Sequence, residues 1–158
     1  MEAHSVWYDK IVKEINLHKD SLSKKDAKKY KLDLLLRVAR RVDDFCSYCG
    51  ECQLFQPEIT KLTQDLSNLA QMPQPAAKEE RRNYNKTLNN IIKHLQKQHK
   101  LVTQGYYRGI GMLIGGGVST AIGAALGNPS IGVAVGIGVG LAIGSYLDKK
   151  AEKEGRVI

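Results

Sequence analysis

The segment from Gly109 to Leu147 contains no charged residue, although 25% of the whole chain is charged. It divides into two apolar stretches, Gly109–Leu126 and Ile131–Leu147, joined by a turn sequence at 127–130. Each stretch is close to the length of about 17–25 residues with which an α-helix crosses a bilayer. In lipid the backbone groups must be paired internally, which favours two helices over an open pair of strands. The sequence therefore predicts a transmembrane helical hairpin with spans at about 109–126 and 131–147.

Small residues recur at every fourth position of both stretches. The absence of large side chains along one stripe of a helix lets two backbones approach closely, so that van der Waals contact holds the helices together. This pattern predicts a glycine zipper within the hairpin and favours a homo-oligomer formed through the hairpin. The predicted packing positions are Gly111, Gly115, Ser119, Gly123 and Gly127 in the first span, and Gly132, Gly136, Gly140 and Gly144 in the second.

Tyrosines and cations flank the two apolar stretches. Tyr106 and Tyr107 precede the first span and Tyr146 lies near the end of the second, where aromatic side chains act as interfacial anchors. Arg108 and the charged tail at 149–158 stand at the outer ends of the hairpin, whereas the turn has no charge. The positive-inside rule therefore places both termini in the cytoplasm, with a two-span anchor in the cell membrane.

Residues 1–104 have a different composition. Only Gly50 of the 15 glycines precedes residue 105, and most of the net charge of +8 belongs to this part. Apolar residues recur at helical spacing in four segments. These segments predict helices from Val6 to His18, from Ser23 to about Phe45, from Pro57 to about residue 72, and from about Ala76 to Gln104, with Gly50 as a helix stop.

The predicted fold class is all-α, in three parts. A small, basic, cytoplasmic helical bundle occupies 1–104, the transmembrane hairpin occupies 105–148, and a charged cytoplasmic tail occupies 149–158. No apolar block near Met1 has the length of a secretory signal, so we expect the bundle to stay in the compartment where it is made. The core of so short a bundle is modest, and such domains gain stability from a metal ion or a partner.

Three cysteines are spaced two residues apart, at Cys46, Cys49 and Cys52. Thiolates at this spacing can face one ion, and structural zinc takes four nitrogen or sulfur ligands. The predicted fourth helix returns to the level of the cysteines at about residues 90–100, where His94 and His99 lie. On a straight helix these histidines point about 140° apart, so one of them is expected to bind. His99 is preferred because it shares the inward face, and His94 is the alternative; the predicted cofactor is zinc.

Other interpretations of these residues stay open. The cysteines are also compatible with a redox-active or iron–sulfur role, or with simple burial in the core. The lysine- and arginine-rich face of the second helix is compatible with solvation or with attraction to anionic lipid headgroups. Nucleic acid is the least favoured partner, because no aromatic stacking residues lie among the charges. We find no spacing of residues that indicates a catalytic site, so the chain is not predicted to be an enzyme.

Two stretches resemble a known type of protein. They are IIKHLQKQHKLVTQGYY at 91–107, and the glycine-rich hairpin with its ending GSYLDKKAEKEG at 144–155. Together they resemble uncharacterised bacterial small membrane proteins with a C-terminal glycine-zipper hairpin. The resemblance covers about the last 40% of the sequence. It implies a bacterial membrane protein and assigns no activity.

These features predict a non-enzymatic, membrane-anchored protein with a structural or regulatory zinc site next to the bilayer. One alternative is a glycine-zipper oligomer that forms a pore or perturbs the membrane. Another is a scaffold that uses its basic face to recruit a cytoplasmic protein to the membrane. The sequence does not identify that protein partner.

Overall fold

The computed structural model describes residues 5–73, 75–125 and 127–158. Within these residues the secondary structure is helical apart from an isolated bridge between Val102 and Val157, so the predicted all-α class is confirmed. The chain divides into two compact units, the first ending at His99 and the second beginning at Lys100. The helices are α1 (Val6–Ser21), α2 (Lys24–Lys29), α3 (Leu32–Phe45), α4 (Gly50–Gln64), α5 (Leu66–Gln71), α6 (Ala76–Gln98), α7 (Tyr106–Ala125) and α8 (Pro129–Lys153).

The first unit is a bundle around an apolar core. The amphipathic stripes predicted from the sequence face inward, and their side chains are removed from water. Two buried tyrosines connect the elements, because the Tyr84 hydroxyl donates to the Tyr30 carbonyl and the Tyr30 hydroxyl donates to the Leu69 carbonyl, each at 2.9 Å. The fully buried core includes Ile11, Ile15, Leu35, Val38, Ile59, Leu66, Leu88, Ile91 and Leu95.

The helix predicted from Ser23 to Phe45 is interrupted. Lys31 adopts the left-handed conformation with φ +53°, which separates α2 from α3. The break accompanies the burial of Tyr30, whose side chain and carbonyl both make the hydrogen bonds described above. The spacing of apolar residues passes through this junction without a gap, so periodicity alone could not reveal it.

The cysteine segment differs most from the prediction. Gly50 was expected to stop a helix, but it is the first residue of α4 and Cys49 is the residue that caps it. Pro57, expected to begin a helix, lies inside α4. Proline lacks the N–H that would bond the carbonyl four residues earlier, and one turn of α4 forgoes that hydrogen bond. The helix therefore begins among the cysteines and continues through the proline.

The predicted fourth helix is shorter than expected. It corresponds to α6, which ends at Gln98, with His99 as its cap and Lys100 in the left-handed conformation at φ +56°. The side chains after Gln98 therefore no longer follow helical geometry. This change in direction matters for His99, as described below.

In the second unit α7 and α8 lie antiparallel and in close contact; we call them the α7–α8 pair. A Cβ atom added at Gly111 would overlap the carbonyl oxygen of Gly140, and one added at Gly115 would overlap that of Gly136. A Cβ added at Gly123, Gly132 or Gly144 would likewise overlap backbone atoms, and Ser119 is one of the residues that face Gly132 and Gly136. Gly127 does not pack between the helices but forms the turn, with φ +79°.

The ends of the α7–α8 pair are fixed by polar contacts. At the turn, the side chain of Asn128 caps α8, and Pro129 is the first residue of that helix, where its missing N–H has no cost. At the other end the buried carboxylate of Asp148 accepts hydrogen bonds from the backbone N–H groups of Tyr107 and Arg108 at 3.0 and 3.1 Å. The Arg108 guanidinium pairs with the same carboxylate at 3.1 Å. An acid at the N-terminal end of α7 is favourable because the helix dipole is positive there.

One described helix, α8, is long and apolar enough to cross a membrane. The first turn of α7 carries the charged Arg108, and the helix contains many glycines. The outward side chains of both helices are nevertheless apolar and exposed: Leu113 is 77% exposed and Ile131 is 61% exposed. Tyr106 and Tyr146, predicted as interfacial anchors, are also exposed. Two complete spans stay a prediction, and Leu126, the predicted end of the first, lies outside the described residues.

The contact in the α7–α8 pair leads to a testable contrast between two glycines of α8. We expect Gly140→Ala to lower the free energy of unfolding by about 1–3 kcal/mol, because its methyl group would overlap the backbone of Gly111. Gly138→Ala is the matched control, because no atom lies within 4 Å of an added Cβ there. Alanine favours the helix over glycine by up to about 1 kcal/mol, so this variant should be neutral or more stable. Thermal unfolding in mild detergent, followed by circular dichroism, measures both; equal effects would contradict the packing.

Candidate metal centre

Two cysteine side chains lie at the start of α4. Cys49 caps the helix and Cys52 is its third residue, so that both thiols lie at the N-terminal turn. The first N–H groups of a helix have no partner within it, and together with the helix dipole they stabilise negative charge nearby. This position favours the thiolate form that binds metals. Cys52 is fully buried, whereas Cys49 is partly exposed.

Two histidine side chains reach the same place from the end of α6. His94 lies in the last turns of the helix and His99 is its cap. The Nε2 atom of His94 is 3.4 Å from Sγ of Cys49 and 3.6 Å from Sγ of Cys52. The Nε2 atom of His99 is 3.4 Å from Sγ of Cys52. Each histidine therefore presents the same ring nitrogen to the thiols.

These four residues form a cluster that could hold a metal ion. Their ligand atoms all lie within 4.8 Å of one another. A tetrahedral site with metal–sulfur bonds of about 2.3 Å and metal–nitrogen bonds of about 2.05 Å has sulfur-to-nitrogen edges of about 3.6 Å. The three distances between sulfur and nitrogen, 3.4 to 3.6 Å, are close to that edge. Three of the six edges expected of a tetrahedral site made by Cys49, Cys52, His94 and His99 are thus close to their ideal length.

Burial changes the acid–base properties of the cluster. Burial, together with the hydrogen bond and the charge of the neighbouring Cys49, raises the pKa of the Cys52 thiol to about 12, against the favourable effect of the helix terminus. Burial also lowers the pKa of His99, as does the adjacent charge of His94. A second negative charge in this desolvated space is unfavourable without a cation. The imidazole of His99, by contrast, is held in the neutral form that metal binding requires.

A second layer of side chains surrounds the histidines. A carboxylate oxygen of Glu51 pairs with Nδ1 of His94, on the opposite side of the ring from the thiols. The ring of Phe45 stacks on His99, with centroids 3.9 Å apart and planes 6° from parallel. The ring of Phe55 meets His94 edge to face at 5.2 Å. Both imidazoles are therefore held in orientation by neighbours that are not among the four clustered residues.

Cys46 lies outside the four-residue cluster. It caps the C-terminal end of α3, and its thiol donates to the carbonyl of Asp43 at 3.1 Å. Burial and the nearby charge of Asp43 raise the pKa of this thiol. The three cysteines are equally spaced in the sequence but lie in two different environments, because α3 ends at Cys46 and α4 begins after Cys49.

The structure brings both candidate histidines to the cysteines, although one was expected to bind. The angle of about 140° between them assumed a helix that continues through His99. Because α6 ends at Gln98, His99 turns back toward the thiols. Sequence reasoning also missed Glu51 and Phe45 as neighbours of the histidines. Placing the start of α4 at Gly50 would have put Glu51 on the same turn as the two cysteines.

No protein family, curated protein or solved structure matches this chain. The kind of ion that the cluster could bind is therefore inferred from its ligand atoms. Two sulfur and two imidazole nitrogen ligands suit a borderline-soft divalent ion, and four protein ligands complete a tetrahedron. Catalytic zinc sites keep one position for water or substrate, whereas this cluster supplies all four ligands. The arrangement is typical of a structural ion.

The geometry predicts different protection of the three thiols. With a divalent ion such as Zn²⁺ bound, we expect Cys49 and Cys52 to resist alkylation and Cys46 to remain reactive, because Cys46 is not in the cluster. After chelation, Cys49 should become reactive and Cys52, which is fully buried, should react most slowly. Mass spectrometry of alkylated peptides measures each site. Protection of Cys46 together with continued reactivity of Cys49 would contradict this ligand set.

Proposed function

We propose that this protein is a non-enzymatic, membrane-anchored zinc protein in which one Zn²⁺ ion is bound by Cys49, Cys52, His94 and His99. The observation that carries the proposal is the convergence of two thiols and two imidazole nitrogens within 4.8 Å. Zinc is favoured over harder ions because the ligands are sulfur and nitrogen, and over iron–sulfur clusters because only two thiols take part.

The zinc ion stabilises the bundle in this proposal. Two of its ligands lie at the start of α4 and two at the end of α6, so the ion joins segments more than 40 residues apart in the sequence. Closing so long a loop by a bound ion removes conformational freedom from the unfolded chain. Ligands that are not pre-arranged in the unfolded chain also make the binding free energy part of the folding free energy. A small bundle of short helices gains most from such an ion.

The α7–α8 pair serves as the membrane anchor in this proposal. Support comes from the length and hydropathy of α8 and from the exposed apolar side chains along both helices. Helix association through backbone contact, as between Gly111 and Gly140, needs no hydrophobic effect and therefore operates in lipid. Cations lie beside Asp148 and along the end of α8 but not at the turn, so the positive-inside rule favours both termini in the cytoplasm.

The zinc site is tested by metal content. We expect the full-length protein, purified in detergent without chelator, to contain close to one equivalent of zinc by elemental mass spectrometry. Cys49→Ser and Cys52→Ser should each lose most of it, because serine is a poor zinc ligand. Cys46→Ser is the matched control, and it should retain the metal because Cys46 lies outside the cluster.

Added zinc should also raise the midpoint of thermal unfolding of the wild-type protein and of Cys46→Ser. It should leave that midpoint unchanged in Cys49→Ser, because an ion that binds only the folded state stabilises it by mass action. A folded wild-type protein without metal, and without a response to added zinc, would overturn the proposed zinc site.

The anchor is tested separately. We expect the protein to stay in the membrane pellet after extraction with alkaline carbonate and to be released by detergent, because the apolar faces of α7 and α8 need lipid or its equivalent. Cys49→Ser should behave in the same way, since it does not alter α7 or α8. Release of the wild-type protein by carbonate would contradict the anchor and leave the zinc site to be judged by its own experiment.

A further inference from the structure

The two ring nitrogens of His94 have different neighbours. Its Nε2 atom lies 3.4 Å from Sγ of Cys49 and 3.6 Å from Sγ of Cys52. Its Nδ1 atom pairs with the carboxylate of Glu51. Glu51 is the second residue of α4 and lies between the two cysteines in the sequence. One helical turn therefore supplies both thiols and the carboxylate that contacts the far side of the imidazole.

A neutral imidazole carries one N–H and one lone pair, and only the nitrogen with the lone pair can bind a metal. Which nitrogen is protonated is set by the hydrogen bond that the other makes. A carboxylate at Nδ1 accepts the N–H there and leaves the lone pair at Nε2. In His94 that lone pair then points toward the two thiols.

We propose that Glu51 is a positioning residue of the zinc site, an inference that rests on the proposed function. Its carboxylate fixes the Nδ1–H tautomer of His94 and directs Nε2 to the ion. Carboxylates that hold metal-binding histidines in this way also make the imidazole a stronger ligand, and their removal typically weakens metal affinity about 10–100-fold.

Glu51 acts through His94 and is not itself a ligand. The group of ligand atoms within 4.8 Å of one another consists of Cys49, Cys52, His94 and His99. The carboxylate contacts the ring nitrogen on the side away from the thiols. Its side chain is 63% exposed and therefore keeps most of its contact with water.

The second histidine is oriented by a different contact. The ring of His99 lies flat against Phe45, and Tyr48 meets it edge to face at 6.3 Å. Stacking fixes the plane of an imidazole but does not select which nitrogen carries the proton. The carboxylate of Glu51 therefore favours one tautomer of His94. The ring contacts of His94 and His99 do not favour either tautomer. Loss of Glu51 should accordingly change His94 and leave His99 as it is.

The test compares variants of the full-length protein in detergent. Zinc affinity is measured by competition with a chromophoric chelator. We expect Glu51→Ala to bind zinc about 10–100-fold more weakly than the wild type. Glu51→Gln should recover most of that loss, because its amide oxygen still accepts the Nδ1–H of His94. Glu58→Ala is the matched control, since Glu58 is an exposed carboxylate farther along α4, and it should bind zinc like the wild type.

A readout of the tautomer separates positioning from simple stabilisation of the helix. In metal-free protein labelled with ¹⁵N-histidine, we expect nuclear magnetic resonance to show the Nδ1–H form of His94 in the wild type and a mixture of tautomers in Glu51→Ala. The signals of His99 should not change. If Glu51→Ala keeps both the wild-type affinity and the wild-type tautomer while the wild type binds zinc, the role of Glu51 is overturned and the proposed function stands. If the wild type binds no zinc, both are overturned.

Discussion

The first unit depends on the meeting of the start of α4 with the end of α6. At this point two thiols and two imidazoles lie within a few ångströms of one another, and Cys52 is fully buried. Polar groups packed so closely need either hydrogen bonds or an ion to compensate for lost hydration. The cluster is therefore more than a contact between helices, because its four side chains suit one tetrahedral ion. A zinc ion there would join the start of α4 to the end of α6 and add its binding free energy to that of folding.

In the second unit, two helices are joined by the close contact of their backbones, without large side chains between them. In the α7–α8 pair, backbone lies against backbone at Gly111, Gly115, Gly136 and Gly140. The carboxylate of Asp148 then fixes the open end by accepting from the first N–H groups of α7 and from Arg108. Backbone contact and the hydrogen bonds of Asp148 hold the pair together, and its apolar side chains lie on the outer surface. That division is expected of helices whose surroundings are lipid. Self-association through these helices stays a prediction.

Sequence patterns predicted the class of the fold and the neighbourhood of the site, but not its details. Helical periodicity gave the all-α class, and the lengths of the helices brought His94 and His99 back to the cysteines. What periodicity cannot show is where a helix ends when the apolar stripe continues. The left-handed conformations of Lys31 and Lys100 mark such ends, and beside Lys31 the buried Tyr30 makes hydrogen bonds to α5 and α6. The role of Glu51 was hidden for the same reason, since it requires α4 to begin at Gly50.

Helix ends also explain why three equally spaced cysteines are not equivalent. Cys46 lies at the C-terminal end of α3, where unpaired carbonyl groups make the potential negative and disfavour a thiolate. Its thiol accordingly donates to the carbonyl of Asp43, as a neutral group does. Cys49 and Cys52 lie at the N-terminal end of α4, where unpaired N–H groups favour a negative charge, while burial raises the pKa of Cys52. The boundary between α3 and α4 thus separates the thiols: Cys46 stays with a carbonyl of α3, whereas Cys49 and Cys52 lie in the cluster with the two histidines.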